Sequence, residues 1–156
     1  MSTHPTAADA EVIIKLYDLR REAEMRKARN WWLVTFWPET ADDFLKIGMA
    51  LGTQENNWLR QAGGYWEMCA GMVLHGAVNE DLFMEPSFCG EMFFIFAKVR
   101  PFLNELREKF QSPSMFSNIE KLINKSEKGR ETLKVFETRI ANRRKTMAEA
   151  ARAKAS

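Results

Sequence analysis

Cysteine and histidine are scarce in this sequence of 156 residues. The two cysteines, Cys69 and Cys89, are far apart and lack CxxC spacing. This pattern argues against a disulfide-stapled secreted scaffold and against a zinc ribbon, and we interpret both cysteines as buried free thiols. The only histidines are His4 and His75, so there is no second histidine at ligand spacing from His75.

Long hydrophobic runs are absent as well. The longest apolar stretches, residues 31–37 and 92–97, fall well short of the roughly 20 residues that a membrane-spanning helix needs. The first residues are polar and lack the basic start and the apolar stretch of a secretory signal. We therefore expect a cytoplasmic protein with no membrane span and no cleaved leader.

Motifs of catalysis and nucleotide binding are missing, since no GxSxG, GxxxxGK[ST] or GxGxxG segment occurs. His75 and Glu67 are a conceivable metal pair, but no ExxH pair of the di-iron kind accompanies them. The position of His75 directly before Gly76 favours a role at the end of a helix. On a regular helix the side chain of His75 would also point away from Cys69, so it could not act as the base for that thiol. We predict no catalytic, cofactor-binding or metal-binding residues and expect the protein not to be an enzyme.

Core-forming residues, by contrast, are plentiful. Hydrophobic residues make up 46% of the chain, including eleven Phe and five Trp, and charged residues make up 28%. This composition and length are typical of one folded domain. We predict a single helical domain over residues 1–156, with a flexible start at residues 1–7 and a basic helical tail at residues 142–156.

Apolar residues recur at helical spacing, and no segment alternates with period two. The sequence therefore predicts an all-α fold, a compact bundle of six or seven helices with a kinked central helix and a basic C-terminal helix. The first helix is expected to run from near Ala8 to Phe36, because Pro38 ends it. Pro101, in the middle of the helical segment 88–110, predicts the kink.

Capping residues mark the other helix boundaries. Thr40 and Thr53 are expected to be N-caps, and Gly76 is expected to end the helix that Thr53 starts. Pro113 is expected to open a further helix, and the last helix is expected to follow Gly129.

Several segments of the chain resemble a known family. They are YWEMCAGMV at 65–73, HGAVNEDLF at 75–83, the helix 93–107 with its VRPFL, FSNIEKL at 116–122 and, upstream, residues 30–39, which close on WPE. These segments are similar to a family of uncharacterised bacterial and phage helical proteins, a domain of unknown function, over roughly residues 30–123. The resemblance implies an all-helical domain without an established activity, and it implies no functional residues.

The aromatic run at residues 31–37 has more than one interpretation. Seven consecutive residues on a helix point in every direction, so a run this apolar cannot face one core as a regular helix. The segment either lies between other helices, or partly unwinds before Pro38, or forms a surface for self-association or for interfacial membrane contact. The candidate residues for such a surface are Trp31, Trp32, Phe36 and Trp37.

The C-terminal segment is the only strongly basic part of the chain. From residue 121 onward there are eleven Lys and Arg against four Glu, whereas the preceding residues include twelve basic and seventeen acidic ones. The segment is either a solvated helix end or a contact for nucleic acid or anionic lipid. The candidate residues for a polyanion contact are Arg139, Arg143, Arg144, Lys145 and Arg152. No aromatic residue follows Phe136 to provide a stacking platform for single strands.

The sequence does not specify an activity. We favour a non-catalytic helical interaction or structural protein that self-associates into a homo-oligomer and needs no cofactor. The alternative is a peripheral binder of nucleic acid or anionic membranes that uses the basic C-terminal helix.

Overall fold

The structure is a computed structural model that describes residues 4–155, and within that range it contains helices and no strand. The helices are α1 (Ala7–Arg20), α2 (Ala23–Asn30), α3 (Ala41–Gly48), α4 (Gln54–Leu74), α5 (Glu80–Phe83), α6 (Pro86–Val99), α7 (Leu103–Lys109), α8 (Ser117–Asn124) and α9 (Glu127–Ala155). A π-helical turn (Trp31–Thr35) follows α2, and a 3-10 turn (Arg100–Phe102) joins α6 to α7. The predicted all-α bundle is confirmed. None of the helices in the described range combines the length and the apolarity needed to cross a bilayer.

Helix α4 lies at the centre of the bundle. It packs against both α2 and α8, while α6 packs against α9. Trp66, in the middle of α4, is fully buried. Its ring meets those of Tyr65, Phe83 and Phe88 edge-on, with centroid distances of 5.0, 6.5 and 5.8 Å. One aromatic cluster therefore holds α4, α5 and α6 together.

The predicted first helix is divided into α1 and α2. The break lies at Glu22, whose carboxylate accepts a hydrogen bond from the Met25 N–H at 2.9 Å and so caps α2. Leu16 and Met25 are both buried. On an unbroken helix, however, a separation of nine residues would place their side chains on opposite sides. The break allows both to face the core. Ile14 and Tyr17, on the outer side of α1, are 64% and 49% exposed.

The predicted N-caps are confirmed. The hydroxyl oxygens of Thr40 and Thr53 each accept a hydrogen bond from the N–H three residues later. Thr6 caps α1 in the same way. Of residues 1–7, for which we predicted a flexible start, Thr6 is the N-cap and Ala7 the first residue of α1, and residues 1–3 lie outside the described range.

Pro101 divides the central aromatic helix, as predicted, through the 3-10 turn between α6 and α7. Two later boundaries differ from the prediction. Helix α8 begins at Ser117 rather than at Pro113, because Phe116 has a φ of +54°, in the left-handed region that a right-handed helix cannot include. Helix α9 begins two residues before Gly129.

Helices α4 and α7 end in the same type of turn with different residues in the left-handed position. In both turns two consecutive N–H groups donate to carbonyl oxygens three and five residues earlier, which is the Schellman arrangement. The left-handed residue is Gly76 after α4, with a φ of +75°, and Gln111 after α7, with a φ of +51°. The first agrees with the predicted cap. At Gln111 a residue with a side chain adopts a left-handed backbone conformation that glycine adopts at lower cost.

The two turns give opposite expectations for substitution. Gln111→Gly should raise the free energy of unfolding by about 1 kcal/mol, because it relieves the left-handed strain. Gly76→Ala should lower it by about 1 kcal/mol, because it introduces the same strain. Urea denaturation measures both changes, and the slope m should stay the same. A loss of stability in Gln111→Gly would contradict the assignment of strain to this residue.

Candidate functional site

Most of the aromatic run lies in the core. The Phe36 N–H donates to the Trp31 carbonyl oxygen, five residues earlier, at 2.8 Å. This wide turn directs Trp31, Trp32 and Phe36 inward, where they are 6%, 0% and 8% exposed. The rings of Trp31 and Phe36 stack with centroids 4.4 Å apart. These three residues pack within their own chain, so an interaction surface has to be sought elsewhere. Trp37 is half-buried.

A buried lysine closes the end of the π-helical turn. Lys98 of α6 is fully buried, and its ammonium donates hydrogen bonds to the carbonyl oxygens of Trp32 and Phe36. Its Nζ lies 4.0 Å from the ring centroid of Trp37 and 5.2 Å from that of Phe94. We did not single out this residue from the sequence, although a single lysine in the otherwise apolar stretch 92–99 is a visible signal.

Burial lowers the pKa of Lys98 to about 7, and the charge of Arg144 acts in the same direction. A lysine with a pKa near neutrality is often a nucleophile or a base. Here aromatic rings and the two carbonyl oxygens enclose the amine, so a substrate has no access to it. Lys98 instead pairs two carbonyl groups that would otherwise be buried without hydrogen bonds.

A second polar cluster joins α1, α2, α4 and α6. The Glu91 carboxylate accepts hydrogen bonds from Arg29 Nε at 2.8 Å and from Trp66 Nε1 at 2.9 Å. Arg20 is 5% exposed, and it donates to the carbonyl oxygen of Phe88 at 3.1 Å. Its guanidinium also lies 5.4 Å from the ring centroid of Trp66. These charged groups are engaged in holding helices together.

The residues that we considered for chemistry do not form a common site. Burial raises the pKa of the Cys69 and Cys89 thiols to about 12, whereas a nucleophilic cysteine needs a lowered pKa. His75 is exposed and follows the last residue of α4. The Glu67 carboxylate accepts hydrogen bonds from two N–H groups at the start of α8. Within residues 4–155, no three His, Cys, Asp or Glu side chains are grouped to hold a metal ion.

Helix α1 is apolar on both sides. Leu16 faces the core, and its carbonyl oxygen accepts a hydrogen bond from the Tyr65 hydroxyl at 2.6 Å. Ile14 and Tyr17, three residues apart on the other side, are exposed. With Leu19, α1 contributes three of the eight large hydrophobic side chains that are exposed within the described range.

Ile140 is the last buried residue of helix α9, although Arg144 and Met147 beyond it are still half-buried. Residues 141–155 extend roughly 22 Å at 1.5 Å per residue. Arg144 donates a hydrogen bond to the Pro38 carbonyl oxygen at 2.7 Å. The guanidinium of Arg139 lies 5.0 Å from the ring centroid of Phe136, one turn earlier on α9. Of the candidates for a polyanion contact, Arg144 is half-buried and the other four, Arg139, Arg143, Lys145 and Arg152, are exposed.

The lowered pKa of Lys98 makes stability depend on pH. Its ordinary pKa is 10.5, so between about pH 7 and pH 10.5 this amine keeps its proton in the unfolded chain but not in the folded chain, and its contribution to stability rises with pH in that window. We expect the free energy of unfolding to increase by about 1 kcal/mol per unit between about pH 7 and pH 8.5. Above about pH 9 the raised pKa of the two thiols acts in the opposite direction.

Lys98→Met should remove this increase, because methionine has no proton to lose. Denaturant titrations at several pH values measure the slope. Lys121→Met, at an exposed position, serves as the control and should keep the slope of the unmodified chain. An unchanged slope in Lys98→Met would show that Lys98 does not titrate in this range.

Comparison with known proteins identifies a family. No curated protein and no solved structure matches the chain. The model of one family, described as Domain of unknown function (DUF4760), matches residues 5–126. This match adds α1 and α2 to the resemblance at residues 30–123 and ends just before α9. Because the match covers most of the chain, the protein belongs to the DUF4760 family, whose function is unknown.

Proposed function

We propose that the chain is a non-catalytic helical interaction protein that forms a homodimer through the outward face of α1. We define this face by Ile14 and Tyr17. The observation that supports it is the exposure of these two large apolar side chains on a helix whose other side is already buried. Pairing two copies through this face would remove apolar area from water, with a gain of roughly 25 cal/mol per Å².

The charges on α1 favour an antiparallel pair. Glu11 lies one turn before Ile14, Arg21 lies one turn after Tyr17, and both are exposed. In a two-fold antiparallel arrangement, Glu11 of one copy approaches Arg21 of the other. A parallel pair in register would place like charges together. Charge complementarity therefore supports a second copy of the chain as the occupant of this face.

The state of the reactive side chains supports a non-catalytic role. The Cys69 and Cys89 thiols are buried and have a raised pKa. Lys98 is enclosed by rings and carbonyl oxygens. Neither kind of group is presented to a substrate, as covalent or acid–base catalysis requires.

A charged substitution in the centre of the α1 face tests the dimer. Ile14→Glu should convert the dimer into a monomer, because the new carboxylate would be buried without a partner at the interface. Sedimentation equilibrium should then give the mass of one chain, 18.1 kDa, where the unmodified protein gives twice that value. Leu51→Glu, at a position that is 76% exposed, is the matched control and should remain dimeric.

Charge exchange tests the orientation of the pair. Glu11→Arg alone should weaken the dimer, and adding Arg21→Glu should restore it. A monomeric natural chain at micromolar concentrations, or a dimer that Ile14→Glu leaves intact, would contradict the α1 interface.

A second candidate function is contact with nucleic acid or anionic membranes. It is supported by the exposed basic side chains beyond Ile140, where Glu149 is the only acidic residue up to residue 155. Such contact would be non-specific and would weaken steeply with salt, because it rests on counterion release.

Deletion of residues 142–156 tests this second candidate. The shortened chain should keep its helical circular dichroism spectrum, because Ile140 and all earlier buried residues are retained. It does lose the hydrogen bond from Arg144 to Pro38. Any binding of duplex DNA or anionic vesicles at low salt should disappear with the deletion. Equal binding by both forms would show that the α9 end is not the contact.

A further inference from the structure

An apolar cavity of about 470 Å³, open to solvent on one side, lies between α3, α4 and the segment that joins α7 to α8. This volume is within the range of about 300–1,000 Å³ that is usual for small-molecule sites. Its apolar walls are formed by Phe44, Leu59, Phe110, Met115 and Phe116. It is separate from the α1 face and from the basic end of α9.

Two glycines on α4 leave one wall of the cavity without side chains. A Cβ added at Gly64 would meet no atom within 4 Å, so packing does not require glycine there. A Cβ at Gly63 would lie 3.5 Å from the Phe116 ring, in ordinary contact. Glycine weakens the interior of a helix, and at Gly64 no neighbour in the described structure explains its presence. The space beside Gly64, where a side chain would lie, is part of the cavity.

The opposite wall is held by a strained segment. Gln111 and Phe116 have left-handed φ values of +51° and +54°, and they bracket the residues that join α7 to α8. The Phe110 ring packs so closely on Gly48 that a Cβ at that glycine would overlap it. The conformation of Gln111 belongs to the cap of α7. Phe116 has no such role, and strained backbone conformations cluster at ligand sites. Its ring forms one of the aromatic walls.

The two charged side chains at the cavity, Glu67 and Arg60, differ in their hydrogen-bond and ion-pair partners. Glu67 is engaged, since its two oxygens accept hydrogen bonds from N–H groups of α8 at 2.8 and 3.1 Å. Arg60 is exposed, and within the described range it donates only to the amide oxygens of Asn56 and Asn57, at 3.0 and 3.1 Å. No carboxylate within residues 4–155 forms an ion pair with Arg60. Arg60 and Glu67 are two turns apart on α4, so one end of the cavity is positive and the other is negative.

We propose that this cavity binds an apolar molecule that carries a single carboxylate, such as a fatty acid. The carboxylate pairs with the Arg60 guanidinium in the fork geometry that arginine favours, and the hydrocarbon lies against the aromatic walls beside Gly64. A second carboxylate at the far end of the ligand meets the charge of Glu67 and is rejected. The site therefore selects monocarboxylates over dicarboxylates of the same length.

Isothermal titration of the full chain with decanoate, below the concentration at which it forms micelles, tests the proposal. The unmodified chain should bind decanoate, bind decanol more weakly and bind decanedioate at least tenfold more weakly. Gly64→Leu should occupy the part of the cavity beside α4 and weaken decanoate binding at least tenfold. It should not lower the melting temperature, because a Cβ at this position meets no atom within 4 Å and leucine favours a helix more than glycine does. Gln61→Leu, on an exposed position of α4 outside the cavity, should leave binding unchanged.

Arg60→Gln separates the charge from the apolar contact. It should weaken decanoate binding about tenfold, or by about 1.4 kcal/mol, and should leave decanol binding unchanged. Three results would overturn the proposal: no decanoate binding by the unmodified chain below micelle formation, full binding by a folded Gly64→Leu variant, or equal effects of Arg60→Gln on decanoate and decanol.

Discussion

The buried carboxylate of Glu91 has to be paired, and the arrangement of three helices follows from that requirement. It takes its hydrogen bonds from Arg29 of α2 and Trp66 of α4, so α6 is fixed to both helices. Leaving one partner of such a pair alone in the core costs about 3–5 kcal/mol. Arg20 lies over the Trp66 ring and extends the cluster to the end of α1. The orientation of α1 depends on this cluster, and therefore so does the side on which Ile14 is exposed.

The same demand for pairing applies to the backbone at the other end of the core. The π-helical turn brings three aromatic residues inward but leaves carbonyl groups without their usual helical partners. Lys98 donates to two of those carbonyl oxygens, and the rings around its ammonium replace part of the water that it loses. The lowered pKa of the Lys98 amine is thus explained by its structural role in pairing buried carbonyl groups. The aromatic run, which invited a functional interpretation, is a core segment that needs this unusual lysine.

The family match bears on the choice between the two proposed interaction surfaces. It covers residues 5–126, which include α1 and every wall of the cavity, and it ends before the basic helix α9. The α1 face and the cavity therefore lie in the domain that defines the family. The basic end of α9 lies outside that domain. This placement is a further reason to treat polyanion contact as the second candidate.

By itself, the sequence determined the all-α class, the caps at Thr40 and Thr53 and the break at Pro101, because each depends on residues within one or two turns of the chain. Tertiary structure decided what needs distant partners. The break between α1 and α2 arises because Leu16 and Met25 must face one core from positions that an unbroken helix would oppose. The cavity walls, the partners of Glu91 and Lys98 and the exposed side of α1 likewise depend on side chains that meet across the fold. Helical periodicity identifies an apolar face but does not specify which neighbouring helix covers it.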